Sequence, residues 1–173
     1  SMKRDLTPLD EAKRAVKFVE QGFKGYKMHS AVPGKIDDPS DQTIDTVTEV
    51  RKAVGDKIDI LVDVNGAYSV HHAIEIGKKL QDLGVFHFEE PRPHYDLEGL
   101  SKVADALDIP IASGENIYTE FEYKALVDKG RVDIIQPDIV KTPGFTTFKK
   151  ISELSSLTGI PITCHNTQPI IST

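Results

Sequence analysis

The sequence predicts an α/β fold, a parallel (β/α) barrel of the TIM type, from two observations. Short apolar runs alternate with segments of helical period, and parallel strands need such crossover helices between them. Six of the runs end in residues that can bind a metal or move a proton, and the C-termini of barrel strands converge on one mouth. An open doubly wound sheet would alternate in the same way, but it usually carries a glycine-rich phosphate loop after its first strand. The first predicted strand is not followed by such a loop.

The elements follow one another with short connections. Thr7 is a candidate N-cap with Pro8 at the first helical position, which predicts a helix that ends near Gly22. The strands read as β-branched runs, as expected when both faces of a sheet are buried. Strands are predicted over residues 23–29, 58–64, 85–89, 109–113, 132–136 and 160–164, and further helices over 41–54, 69–83, 95–107, 118–129 and 144–158. Residues 31–41, rich in Pro, Gly and Asp, form a predicted loop at the mouth.

Composition narrows the class of protein. With 173 residues, 39% hydrophobic and 28% charged, and with no linker segment, residues 1–173 are expected to form a single domain. The net charge of -6, with both signs interspersed, argues against nucleic acid as a partner. The apolar runs are far shorter than the roughly 20 residues of a membrane span, so no membrane partner is expected. The single Cys164 cannot form an internal disulfide, which favours a cytoplasmic location.

Three carboxylates close three consecutive strands. Asp63, Glu89 and Glu115 each follow an apolar run, and carboxylate oxygens from neighbouring strands suit a hard cation such as Mg²⁺. Each carboxylate alone could instead cap the helix that follows it. Their recurrence at successive strand ends favours a metal site.

Basic groups flank this set. Lys27 and His29 are two residues apart, so on a strand both side chains face the same way. Asp138 and His165 end the next two strands, and a carboxylate beside an imidazole makes the histidine a stronger base. The remaining histidines are assigned to helix starts, strand packing or loops, and they are His71, His72, His87 and His94.

Taken in order, these strand endings resemble one known family. They are Lys27-x-His29, Asp63-Val64-Asn65, Glu89-Glu90-Pro91, Gly114-Glu115-Asn116, Pro137-Asp138 and Cys164-His165-Asn166. The ordered set is similar to the mandelate racemase and acid-sugar dehydratase branch of the enolase superfamily. The resemblance runs across nearly the whole chain.

The resemblance implies a metal-assisted reaction of a carboxylate substrate. It implies that Asp63, Glu89 and Glu115 bind Mg²⁺, which chelates the substrate carboxylate, while a base removes the proton α to it. It further implies that Lys27 stabilises the developing charge and that Asn65 and Asn116 contact the substrate. His29 and the Asp138–His165 dyad would then face opposite sides of the α-carbon, with His165 as imidazolium able to protonate a departing hydroxyl.

Length and one substitution distinguish the chain from the family pattern. The family carries Lys-x-Lys where this chain has Lys27-x-His29, and histidine titrates near neutrality. A complete barrel takes about 250 residues, so we expect strands two to seven of eight, without the N-terminal capping domain.

The parent protein is expected to dehydrate a sugar acid to a 2-keto-3-deoxy acid. The alternatives are a racemase or epimerase of a hydroxy acid, or a non-catalytic barrel fragment. The open edges predict a homo-oligomer, and this fragment alone is expected to be nearly inactive.

Overall fold

The computed structural model describes residues 6–165, which alternate between helices and parallel strands. The helices are α1 (Pro8–Glu20), α2 (Thr43–Val54), α3 (Val70–Asp82), α4 (Leu97–Ala106), α5 (Glu120–Ala125) and α6 (Phe145–Thr158). The strands are β1 (Gly25–His29), β2 (Asp59–Asp63), β3 (His87–Glu89), β4 (Ile111–Ser113) and β5 (Ile134–Ile135). A π-helical turn over Leu126–Gly130 continues α5, so the helix predicted over 118–129 consists of two kinds of helix.

The strand order decides between the two α/β architectures. The strands pair in chain order, β1-β2-β3-β4-β5, and every pair is parallel. A doubly wound sheet reverses its order at a switch point, whereas sequential order with a helix after each strand is that of a (β/α) barrel. The predicted TIM-type barrel class is confirmed, and residues 6–165 form an incomplete ring.

The register places the C-termini of the first three strands side by side. His29 pairs with Asp63, and Asp63 pairs in turn with Glu89. In β1 the buried ring of Tyr26 packs against Phe18 of α1, with 6.0 Å between the ring centroids. Since side chains alternate along a strand, the odd-numbered residues of β1 point into the barrel.

The prediction of a sixth strand over residues 160–164 is wrong, because this segment does not form a continuous strand. Only one parallel bridge forms there, between Ile135 and Ile162. Its hydrogen bonds run from Ile135 N to Pro161 O and from Thr163 N to Ile135 O, each 3.0 Å long. Pro161 lacks an N–H and cannot lengthen a ladder. His165 N still donates to Pro137 O at 3.0 Å, which holds this segment beside β5.

Apolar side chains between the sheet and the helices form one core. Strand residues Ile60, Val62 and Phe88 are fully buried against helix residues such as Val47 and Leu80. The helices therefore cover the outer face of the sheet, and Lys27, Asp63 and Glu89 lie on its inner face.

Side-chain caps fix where the helices begin. Thr7 Oγ1 accepts a hydrogen bond from Asp10 N at 3.3 Å, with Pro8 at the first position as predicted. Ser69 caps α3 in the same way, and Asp96 caps α4 by accepting from Gly99 N at 2.9 Å. Such caps satisfy backbone N–H groups that have no partner inside the helix. Among the described residues, no helix is both long and apolar enough to cross a membrane.

Candidate active site

Three buried carboxylates meet at the C-terminal ends of β2, β3 and β4. One oxygen from each of Asp63, Glu89 and Glu115 lies within 4.8 Å of the others. Asp63 and Glu89 are the last residues of their strands and have no exposed surface. Oxygen ligands of this kind suit a hard divalent cation. We call these three residues the carboxylate cluster.

A glycine lets Glu115 turn towards the cluster. Gly114 follows β4 with φ of +134°, a conformation that side chains rarely adopt. A Cβ atom at this position would lie 2.9 Å from Tyr123 Cε1 and 3.1 Å from Gln136 N. The Tyr123 hydroxyl also donates to Gly114 O at 2.5 Å. Glycine is therefore required where the backbone bends into the mouth.

Lys27 and His29 line the cluster from β1. Lys27 Nζ donates to Glu89 Oε1 in a short contact and lies 3.2 Å from Asp63 Oδ2. His29 Nδ1 lies 3.2 Å from the same Asp63 oxygen and 3.2 Å from Asn65 Oδ1. Both basic groups thus face the carboxylates directly.

Burial and neighbouring charges both shift the pKa values of these groups. Burial and the negative charge of Glu89 raise the pKa of Asp63 to about 8. Burial alone would also raise the pKa of Glu89, but a hydrogen bond from His87 and the charge of Lys27 lower it to about 2. Burial opposes the charged form of Lys27, yet the Glu89 and Asp63 carboxylates outweigh it and raise the pKa of Lys27. The cluster favours positive charge beside it.

The chemistry of the cluster fits a divalent cation. Two of its buried oxygens, Asp63 Oδ2 and Glu115 Oε2, accept no hydrogen bond of good geometry from the described residues, although cationic groups lie nearby. Buried carboxylate oxygens normally have partners. Asp63, Glu89 and Glu115 could therefore hold Mg²⁺, with Lys27 as a compensating charge.

Asp138 and His165 form a hydrogen-bonded dyad on the other side of the cluster. His165 Nδ1 lies 2.8 Å from Asp138 Oδ2, and its Nε2 lies 3.0 Å from Glu115 Oε2. Because a carboxylate only accepts, Nδ1 carries a hydrogen towards Asp138. Burial would raise the pKa of Asp138, but the hydrogen bond from His165 and one from Val140 N lower it. His165 thus connects the dyad to the carboxylate cluster, a contact that the sequence did not predict.

The two asparagines expected to contact substrate make protein contacts in this structure. Asn65 N donates to Asp63 Oδ1 at 2.9 Å. Asn116 Nδ2 donates to Glu90 Oε1 at 3.0 Å, and its Oδ1 accepts from Lys141 Nζ at 3.1 Å. Both asparagines therefore lie beside the carboxylate cluster and help to order its surroundings.

Glu90, Lys141 and His87 belong to the site and were missed by sequence reasoning. Glu90 adopts φ of +45°, and burial and the charge of Glu115 raise its pKa to about 7. Lys141 Nζ lies 3.8 Å from Glu115 Oε1. His87, assigned to strand packing, has Nε2 3.3 Å from a Glu89 oxygen. The two-residue spacing of His87 and Glu89 was a usable signal, since it also placed Lys27 beside His29.

A cleft of about 420 Å³ opens beside the first basic strand. Its walls include His29 and Ser30 at the end of β1, Lys35 and Asp38 in the following loop, and Tyr68. The predicted loop over 31–41 thus lies at the mouth and contributes polar groups next to the catalytic candidates.

Comparison with known proteins identifies the family. The model for the Enolase C-terminal domain-like family matches residues 10–173. The chain belongs to this family. The resemblance stated from the strand endings is confirmed, and the partial barrel is that of an enolase C-terminal domain.

Relatives in the Enolase C-terminal domain-like family act on acid sugars or carry the name racemase. Arabinonate dehydratase of Saccharolobus solfataricus is 33% identical over 165 residues, covering 95% of this chain and 42% of its own length. A putative racemase from Roseobacter denitrificans superposes with a TM-score of 0.91 at 36% identity, covering 96% of this chain and 46% of its own.

A further relative was solved with ligands. A mutant of L-talarate/galactarate dehydratase liganded with Mg and L-glucarate has a TM-score of 0.82 at 33% identity, covering 93% of this chain and 40% of its own. The present chain spans less than half the length of these relatives. It is thus a member of an enzyme family with magnesium-binding relatives, and it supplies an acidic cluster of the kind that holds such a metal.

Proposed function

We propose that this chain forms the catalytic face of a Mg²⁺-dependent enzyme that removes the proton α to a carboxylate. The most specific form of the proposal is a sugar-acid dehydratase that yields a 2-keto-3-deoxy acid. The observation that carries it is the buried carboxylate cluster, with oxygens within 4.8 Å, between Lys27 and His29 on one side and the Asp138–His165 dyad on the other. Dehydratase relatives of 33% identity support the reaction class.

Each element of the proposal has a physical basis. A Mg²⁺ held by the cluster would supply Lewis-acid charge that makes a proton beside a carboxylate easier to remove. Lys27 would place its ammonium near the negative charge that develops on the substrate. Nε2 of His165, whose Nδ1 hydrogen is held by Asp138, would accept the proton and return it to a departing hydroxyl.

Substrate contacts are part of the same proposal. Asn65 and Asn116 lie next to the cluster and offer amide groups to substrate hydroxyls. The cleft beside His29, lined by Lys35 and Ser30, has room for the remainder of a small acid sugar. The Mg- and L-glucarate-liganded relative supports a sugar-acid ligand.

A substrate panel tests the reaction. The complete protein that carries this sequence would be incubated with aldonic and aldaric acids and Mg²⁺, and keto-acid product would be measured. We expect turnover of at least one acid, loss of that turnover in His165→Asn, and unchanged turnover in His71→Asn, whose side chain is 88% exposed on α3. A panel without any turnover sensitive to His165→Asn would overturn the proposal.

A second candidate reaction is racemisation or epimerisation. It is favoured by the two histidines on opposite sides of the cluster, with His29 beside Asp63 and His165 beside Glu115. The relative named a putative racemase also supports it. Two bases could remove and replace the same hydrogen without a leaving group. Deuterium incorporated into recovered substrate, in the absence of keto acid, would decide for this reaction.

We expect the activity and the oligomeric state of the isolated chain to differ from those of the complete protein. We propose that residues 1–173 act as one partial barrel domain in the cytoplasm, and that alone they show little activity because the incomplete ring admits water to the site. Strand β1 lies at the edge of the described sheet, and such edges pair with other chains. We therefore propose self-association. A monodisperse monomer in light scattering, or robust activity of the isolated chain, would contradict these two proposals respectively.

A further inference from the structure

We propose that His87 is a positioning residue that fixes the Glu89 carboxylate for metal binding. His87 and Glu89 are the first and last residues of β3, two apart, and both are buried. Their side chains therefore project from the same face of the strand into the barrel, one layer apart, while Phe88 packs in the core on the other face. The inference rests on the proposed function only in taking Glu89 as a metal ligand.

The contact between the two side chains is directional. His87 Nε2 lies 3.3 Å from Glu89 Oε2. A carboxylate has no hydrogen to donate, so Nε2 carries the hydrogen and Glu89 accepts it. Lys27 contacts the other oxygen, Oε1. With each oxygen held by a different residue, rotation of the Glu89 carboxylate is restricted and Oε1 stays turned towards Lys27 and the rest of the cluster.

The second ring nitrogen of His87 shows that packing alone is a poor explanation for this residue. Nδ1 is buried and has no hydrogen-bond partner among the described residues. A buried polar atom without a partner is unfavourable, and a ring such as phenylalanine would fill a similar volume without it. The hydrogen bond to Glu89 is what a histidine adds at this position.

Partners that hold metal ligands commonly govern metal affinity. Removing a hydrogen bond to a ligating side chain typically lowers metal affinity by about 10- to 100-fold. We expect a loss of this size when the donor at residue 87 is removed, because a Glu89 carboxylate that rotates must be ordered again each time a cation binds.

The test measures Mn²⁺ affinity of the chain by the electron paramagnetic resonance signal of the free ion. Wild type is expected to bind Mn²⁺ at the cluster. His87→Phe keeps a ring of similar size without a donor, and we expect its dissociation constant to rise by about 10- to 100-fold. His87→Gln should restore most of the affinity, because its amide Nε2 reaches the same oxygen. His71→Phe, on the exposed side of α3, is the matched control for histidines that bind Mn²⁺ nonspecifically.

The outcomes separate this inference from the proposed function. Wild-type affinity in His87→Phe, or affinity in His87→Gln as weak as in His87→Phe, would overturn the role of His87 while leaving the metal site intact. Failure of wild type itself to bind Mn²⁺ would overturn both. If circular dichroism shows that His87→Phe is unfolded, the pair His87→Gln and His87→Asn decides instead. Only the longer amide reaches Glu89, so equal affinities in that pair would overturn the inference.

Discussion

Replacing Asp63 by asparagine should raise the folding stability without metal and abolish the stabilisation that Mg²⁺ gives to wild type. Burial and the negative charge of Glu89 raise the pKa of Asp63 to about 8, although Lys27 opposes the shift. A carboxyl with a raised pKa lowers folding stability above its unfolded pKa, since the native state then holds a proton that the unfolded state releases. Asparagine removes the titrating group and keeps Oδ1, which accepts from Asn65 N at 2.9 Å.

The magnitude follows from the interval between the unfolded pKa and neutral pH. At about 1.4 kcal/mol per pKa unit, the roughly three units between an unfolded pKa of about 4 and pH 7 correspond to at most about 4 kcal/mol. The attraction of Lys27, 3.2 Å away, already enters the raised pKa of Asp63, so we expect a net gain in the free energy of unfolding on the order of 1–3 kcal/mol without metal, below this upper limit. In wild type, Mg²⁺ at about 100 times its dissociation constant should raise the free energy of unfolding by about 2.7 kcal/mol. For a chain of this size, that increase corresponds to about 5–11 °C in Tm.

Thermal and urea unfolding, with and without Mg²⁺, check both effects. Asp63→Asn should be more stable than wild type in chelator and should no longer respond to Mg²⁺. The matched control is Asp59→Asn at the opposite end of the same strand, an exposed residue that should leave the Mg²⁺ response intact. A variant that is less stable than wild type without metal, yet still stabilised by Mg²⁺, would refute the reasoning.

Three further substitutions have defined outcomes. Tyr26→Phe removes the buried hydroxyl that donates to Glu11 at 2.5 Å, and urea unfolding should show a loss of about 1–3 kcal/mol because that carboxylate loses a partner. Gly114→Ala should cost more than about 1 kcal/mol in the same assay and weaken Mn²⁺ binding, because the new Cβ would meet the Tyr123 ring at 2.9 Å. Asp96→Asn should lose about 1 kcal/mol at pH 7. Burial would raise the pKa of Asp96, but hydrogen bonds from Arg92 and from Gly99 N lower it. The loss of stability should therefore fade as pH falls through that lowered pKa. An equal loss at pH 2 and pH 7 would contradict this assignment.

The alternation of elements could be read from the sequence because its signals are local. Thr7 and Ser69 cap helices where their positions predicted starts, and β-branched runs coincide with strands. Strand lengths could not be read in the same way. Residues 132–136 are all compatible with a strand, but the ladder covers only Ile134–Ile135, because pairing depends on the neighbouring chain as well as on side-chain type.

The candidate site was predictable where it depends on strand ends and less so where it depends on backbone turns. Asp63 and Glu89 end their strands, and parallel pairing then places them together. Glu90 adopts a left-handed backbone conformation, so strand alternation says nothing about its side chain. The contact of His165 with Glu115 depends on a segment that only one bridge holds beside β5, and no local pattern encodes it.

The contacts of Lys27 and His165 impose an order of events on the site. Lys27 Nζ contacts the Asp63 and Glu89 carboxylates, and His165 Nε2 lies 3.0 Å from Glu115 Oε2. While these contacts persist, the same nitrogens are not available to a substrate. A cation that neutralises the carboxylates would free both side chains together, so binding should be sequential, with cation before substrate. Mixing experiments would reveal this as a lag when substrate is added first and none after preincubation with Mg²⁺.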